Sequence, residues 1–106
     1  MRTVREGSVC TIRARFFDDQ TMATIPTSAS YRLRDVTNNR TIIDWTALIP
    51  DTYVDIQIAP ESNAIYRDSV PYQEHALVVK ADEDLPTQWV DEVRYQITNL
   101  KGYQSR

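Results

Sequence analysis

The chain has 106 residues, 42% hydrophobic and 25% charged, which is enough for one globular domain and too ordered a composition for a disordered segment. One Cys, one His and two Gly exclude an intrachain disulfide, a multi-thiolate zinc site, two-imidazole chemistry and a glycine-rich phosphate loop. A net charge of −3 argues against bulk electrostatic binding to nucleic acid or to an anionic membrane surface.

Met1 to Gly7 is charged, with no apolar run behind it, so no secretory signal is expected. No stretch approaches the ~18 apolar residues of a membrane span. Val9 to Phe17 then alternates, placing Cys10, Ile12, Ala14 and Phe16 on one face and Thr11, Arg13, Arg15 and Phe17 on the other. That period of two is a half-buried strand. Asp18-Asp19-Gln20 turns the chain, and Met22 to Pro26 reads as an edge segment. Ala29, Tyr31 and Leu33 alternate with Ser30, Arg32 and Arg34 in a second strand. Asn38-Asn39 supplies the left-handed backbone of the next turn.

Thr41 to Thr46 is the third strand, with Ile43 and Trp45 on one face and Trp45 expected in the core. Tyr53 to Ile58 alternates most cleanly: Val54, Ile56 and Ile58 inward, Tyr53, Asp55 and Gln57 outward. Pro60 and the residues after it predict one helical turn. Arg67 to Gln73 reads as a polar connection. His75 to Ala81 is a strand with Leu77 and Val79 inward, Asp82 to Thr87 a hairpin loop, and Trp89 to Thr98 the last strand with Val93, Tyr95 and Ile97 inward.

Six main strands and their turns predict an all-β fold: a two-sheet β-sandwich of about six to seven strands, of immunoglobulin-like or fibronectin type III-like kind. One domain is expected over 1–106, with a folded core over 7–100 and extended or frayed termini. The long connection after the fourth strand is expected to cross between sheets.

Four constellations carry candidate chemistry. Asp82-Glu83-Asp84, with Asp18-Asp19, is acidic, but contiguous carboxylates without glycine make a poor calcium loop and read as a solvated hairpin tip. His75, with Asp68 and Ser69 near it in sequence, lacks any nucleophile motif and reads as a half-exposed strand-end histidine. Arg13, Arg15, Arg32 and Arg34 all point outward. If the first two strands are neighbours in one sheet, they form one basic face, with Tyr53 and Asp55 alongside if the fourth strand joins that sheet; it reads either as a solvated face or as a fit for an acidic surface on another chain. Ile42, Val78 and Val90 form a second candidate interface on the opposite outer face. No catalytic residue, cofactor, metal or small-molecule substrate is expected. Tyr53, Tyr66, Tyr72, Tyr103 and Trp89 are the candidate readers for an alternative function, binding of carbohydrate or a host surface.

Five segments carry a resemblance. They are Thr3-Val4-Arg5-Glu6-Gly7, Pro26 to Leu33, Trp45-Thr46, Val54-Asp55-Ile56-Gln57-Ile58, and Asp91 to Leu100. Together they resemble small immunoglobulin-like structural proteins of tailed bacteriophages. The resemblance implies a non-enzymatic virion protein, assembled in the host bacterial cytoplasm at the head–tail junction (neck or connector), the tail or the capsid surface. Its implied partners are other virion proteins and copies of itself, as a homo-oligomer or ring; the net charge and the lack of an apolar span separately argue against nucleic acid and membrane as partners.

Overall fold

Alternation, not length, decides the fold: each strand has one face that must leave water. The computed structural model describes residues 2–18, 20–66, 71–83, 85–86 and 88–98. It is all-β apart from one short 3₁₀ turn. The strands are β1 (Arg2–Arg5), β2 (Cys10–Arg15), β3 (Ala29–Asp35), β4 (Arg40–Leu48), β5 (Tyr53–Ile58), β6 (Tyr72–Ala81) and β7 (Trp89–Thr98). A five-stranded sheet has the order β1-β7-β6-β3-β4, and a two-stranded sheet pairs β2 with β5. All pairs are antiparallel except β1 with β7.

The inner faces bury Cys10, Ile12, Phe16, Leu33, Ile56, Ile58, Leu77, Tyr95 and Ile97, each 9% exposed or less. Each fully buried aliphatic or aromatic side chain contributes roughly 1.5–3 kcal/mol, so these residues from both sheets hold the layers together. The predicted turn after β5 is the 3₁₀ turn Pro60–Asn63, with Pro at its start. It lies in the connection that crosses from the small sheet to the large one, as expected.

Scarce glycine leaves other residues to make the turns. Asn39 (φ 52°) closes the β3–β4 hairpin and Asp82 (φ 52°) the β6–β7 hairpin. Gly7 (φ 71°) turns the chain between β1 and β2, where its N–H donates to Asn63 O at 2.9 Å. After β2, Asp18 Oδ1 accepts from the N–H groups of Gln20 and Met22, both at 2.9 Å. Inside that loop Thr21 sits at φ 62°, a left-handed conformation that a β-branched residue tolerates poorly. Thr21→Gly is therefore expected to raise the unfolding free energy by roughly 0.5–1 kcal/mol, part of the relief being offset by glycine's backbone entropy. Urea denaturation checks this, and a less stable variant would refute it.

Two side chains expected in the core are not buried there. Trp45 is 38% exposed on the outer face, not in the core. The cause is a pair of register shifts: Tyr31 pairs with Thr46, Leu33 with Ile43 and Arg34 with Thr41, so β4 carries two extra residues. An extra residue swaps the faces of the residues after it. Trp45 emerges with the cations of Arg32 and Lys80 over its ring at 4.9 and 4.2 Å. The tryptophan packed on the core is Trp89, whose ring lies 5.6 Å from that of Phe16. Val93, expected inward, has the inward parity of Tyr95 and Ile97 but is 42% exposed. The two-stranded sheet is too narrow to cover it.

Candidate functional site

The predicted basic face divides between the two sheets. β2 pairs with β5, whereas β3 lies between β4 and β6 in the other sheet. The first two main strands are therefore not neighbours, and the four arginines do not form one face.

On the small sheet, Arg13 stands opposite Asp55 and Arg15 opposite Tyr53. Arg13 donates to Asp55 from Nε (2.7 Å) and Nη2 (3.1 Å), and its guanidinium lies 4.2 Å over the Tyr53 ring. The two Arg13 hydrogen bonds hold the Asp55 carboxyl below its ordinary range. This pair neutralises itself. Arg15 makes no ion pair among the described residues, although its charge also helps to lower the Asp55 pKa.

On the outer face of the large sheet, the register makes a lattice. Arg34, Ala76 and Arg94 form one row across β3, β6 and β7, with Arg32, Val78 and Glu92 in the next and Ser30, Lys80 and Val90 in the third. Ala76 leaves a gap between two arginines about 10 Å apart, two strand spacings. A depression of about 330 Å³ opens there, floored by Ala76 and Val78. Arg94 is held by Glu74 (2.8 Å) and Glu92 (3.3 Å), which raise its pKa further. Arg34 donates from Nη2 to Asn39 Oδ1 at 2.6 Å. Neither Arg32 nor Arg34 meets a carboxylate among the described residues, and Arg32 Nε is buried without a hydrogen-bond acceptor.

The predicted apolar set also divides. Val78 and Val90 share this basic face instead of opposing it, while Ile42 packs against the core beside Ile43, a consequence of the same register shifts in β4. Arg94, Glu92 and Ala76 fall outside the sequence expectation. The alternation of β6 and β7 marks them as outward, but only the pairing brings them beside Arg32 and Arg34.

His75 is fully buried, not half-exposed at a strand end, because β6 begins at Tyr72 and His75 shares the inward parity of Leu77. Gln73 Nε2 donates to Ala64 O (3.2 Å) and lies 2.6 Å from His75 Nε2. His75 Nδ1 lies 3.4 Å from Tyr95 Oη, which donates to Asn63 Oδ1 at 2.9 Å, and Asn63 Nδ2 donates to Ser8 O at 2.8 Å. Burial lowers the His75 pKa to about 4 and pushes the Tyr95 phenol up. The network ties β6 and β7 to the β1–β2 and β5–β6 connections. Asp68 and Ser69 lie outside the described residues.

The acidic hairpin is engaged within the fold. Asp82 Oδ1 accepts from Thr27 N–H at 2.6 Å, and Glu83 pairs with Lys80 at 3.1 Å. Asp19 and Asp84 lie outside the described residues, and among those described no three acidic, His or Cys groups gather as a metal site. The aromatic readers are dispersed: Tyr53 under Arg13, Tyr66 under Arg40 (4.2 Å), Tyr72 at the start of β6, Trp89 against Phe16; Tyr103 is outside the described residues. Comparisons with protein-family models, curated proteins and solved structures matched this chain to none of them.

Proposed function

We propose that this chain is a non-enzymatic structural protein that assembles by protein–protein contact, and that its setting is a tailed-phage virion at the head–tail junction, the tail or the capsid surface. The virion setting rests on the sequence resemblance. The assembly reading rests on one observation: Arg32 and Arg34 stand without carboxylate partners around an Ala76–Val78 floor, in a chain with 15 acidic residues. Two guanidiniums spaced two residues apart on the same face of β3 repel unless an anion compensates them, and an acidic surface on a neighbouring chain does so. The order β7-β6-β3-β4 facing β2-β5 also supports an immunoglobulin-like sandwich, with β2, β3, β5, β6 and β7 in the places of strands B, C, E, F and G, and β4 in that of the extra strand beside C.

Phage particles assembled with the wild-type chain are expected to contain it, and particles made with Arg32→Glu/Arg34→Glu to lose it tenfold or more, by mass spectrometry and imaging. Both arginines are half-buried on an outer face, and circular dichroism checks that the variant is folded. Absence of the wild-type chain from particles would remove the virion setting. Undiminished incorporation of the variant would remove this face from the contact.

A further inference from the structure

The uncovered Val93 marks an opening in the sandwich. β2 and the first half of β7 face each other there, and a cavity of about 90 Å³ opens between Ile12 and Ala14 on one side and Val79, Trp89 and Val93 on the other. That is room for about three waters or one branched aliphatic group. A second depression, lined by Arg15, Phe17, Asp18, Trp89 and Asp91, shares Arg15, Trp89 and Asp91 with it. Val93 pairs with fully buried Leu77, yet stays 42% exposed because no strand lies beyond β2 among the described residues.

A complementary feature stands on the opposite flank. Ile49, in the turn from β4 to β5, is 88% exposed, more than any other large hydrophobic residue described. Pro50 follows it and restricts its backbone to extended conformations, so the side chain is presented on a stiff turn. The same turn carries exposed Asp51, whose carboxylate takes only the adjacent Thr52 N–H (2.7 Å) among the described residues. Turn and opening are level: Leu48, Ala29, Ala81 and Trp89 form one row across the large sheet, with Ile49 following at one end and Trp89 lining the cavity at the other.

We propose that the opening between β2 and β7 is the socket for the Ile49 turn of a second copy, with Ile49 entering the cavity and Asp51 meeting Arg15 at its rim. An aliphatic side chain would fill the 90 Å³ space, and Asp51 and Arg15, neither of them in an ion pair among the described residues, carry opposite charges. Because the two surfaces differ and lie on opposite flanks, the contact is heterologous and repeats head to tail, closing into a ring or growing as a filament. It rests on the reading of the chain as a self-assembling module. Its test is separate, made in solution without particles.

Mass photometry of the wild-type chain should show species larger than the monomer. Ile49→Asp and Val93→Glu should each be monomeric, with unchanged circular dichroism, since both positions are already exposed. An equimolar mixture of the two should give dimers and nothing larger, because one supplies only an intact socket and the other only an intact turn. Variants that assemble like wild type would overturn the contact while leaving assembly through another surface. A mixture that stays monomeric, or a wild-type chain monomeric at every concentration, would overturn it too. The particle experiment on Arg32 and Arg34 would stand unaffected in each case.

Discussion

Acidification from neutral pH to about 4 is expected to remove roughly 3 kcal/mol of stability through His75 alone, and His75→Gln is expected to abolish that part of the loss. The starting point is the Gln73 amide. Its Oε1 accepts from Asn38 Nδ2 (3.1 Å) and Tyr66 N–H (2.9 Å), so its Nε2 must face His75. His75 Nε2 is then the acceptor, and the imidazole is neutral with its proton on Nδ1, toward Tyr95. Protonation would set one N–H against another at 2.6 Å in a site without water access.

Burial is the main reason the His75 pKa falls from 6.5 to about 4; Arg40 lowers it further and Asp35 opposes. The unfolded chain binds the proton in that window and the folded chain does not. Stability is therefore fully present above pH 6.5, falls through the window and levels off below about 4. At about 1.4 kcal/mol per tenfold, the gap corresponds to roughly 3 kcal/mol. Gln at position 75 can accept from Gln73 and donate to Tyr95 without titrating. The measurement is urea denaturation of both proteins across this range. A wild-type-minus-variant difference that does not change with pH would refute the assignment.

This centre shows where sequence reading succeeds and where it stops. Strict alternation makes β5 and β7 legible to the residue, Tyr53–Ile58 and Trp89–Thr98, and locates β2 and β3 within a residue or two. Turn chemistry is legible too, because Asn39 and Asp82 have to replace glycine at positive φ. Pairing is not. Nothing in β2 or β3 says which strand lies beside it, so alternation alone groups Arg13 and Arg15 with Arg32 and Arg34. Alternation also fails at a bulge, which carries Trp45 outward and Ile42 inward. Polar residues at inward positions read as connection or surface. Asp35, Gln73 and His75 are all fully buried, and each is compensated by residues distant in sequence or by a turn that a period-of-two pattern cannot register.

Asp35→Ala is expected to cost about 3 kcal/mol, since removing one partner from a buried ionic group leaves the others unpaired. The Asp35 carboxylate is fully buried and takes three donors: Arg40 Nε (2.9 Å), Asn38 Nδ2 (2.8 Å) and Asn38 N–H (3.1 Å). Arg40 is 34% exposed, so water relieves part of its loss and the low end of the usual range applies. Asp35→Asn keeps one acceptor and should cost about half as much. Chemical denaturation gives the order, and an Asp35→Ala protein within about 1 kcal/mol of wild type would refute it. The same carboxylate reaches the candidate face. It anchors the β3–β4 turn through Asn38, and the next residue, Asn39, holds Arg34 at the rim of the Ala76 depression. Asn39→Gly separates the two roles, because glycine accepts φ 52° while removing the oxygen that holds Arg34. That variant should keep wild-type stability within about 1 kcal/mol yet enter particles less well, whereas Asp35→Ala should lose both. Equal incorporation of Asn39→Gly and wild type would mean that the position of Arg34 does not govern the contact.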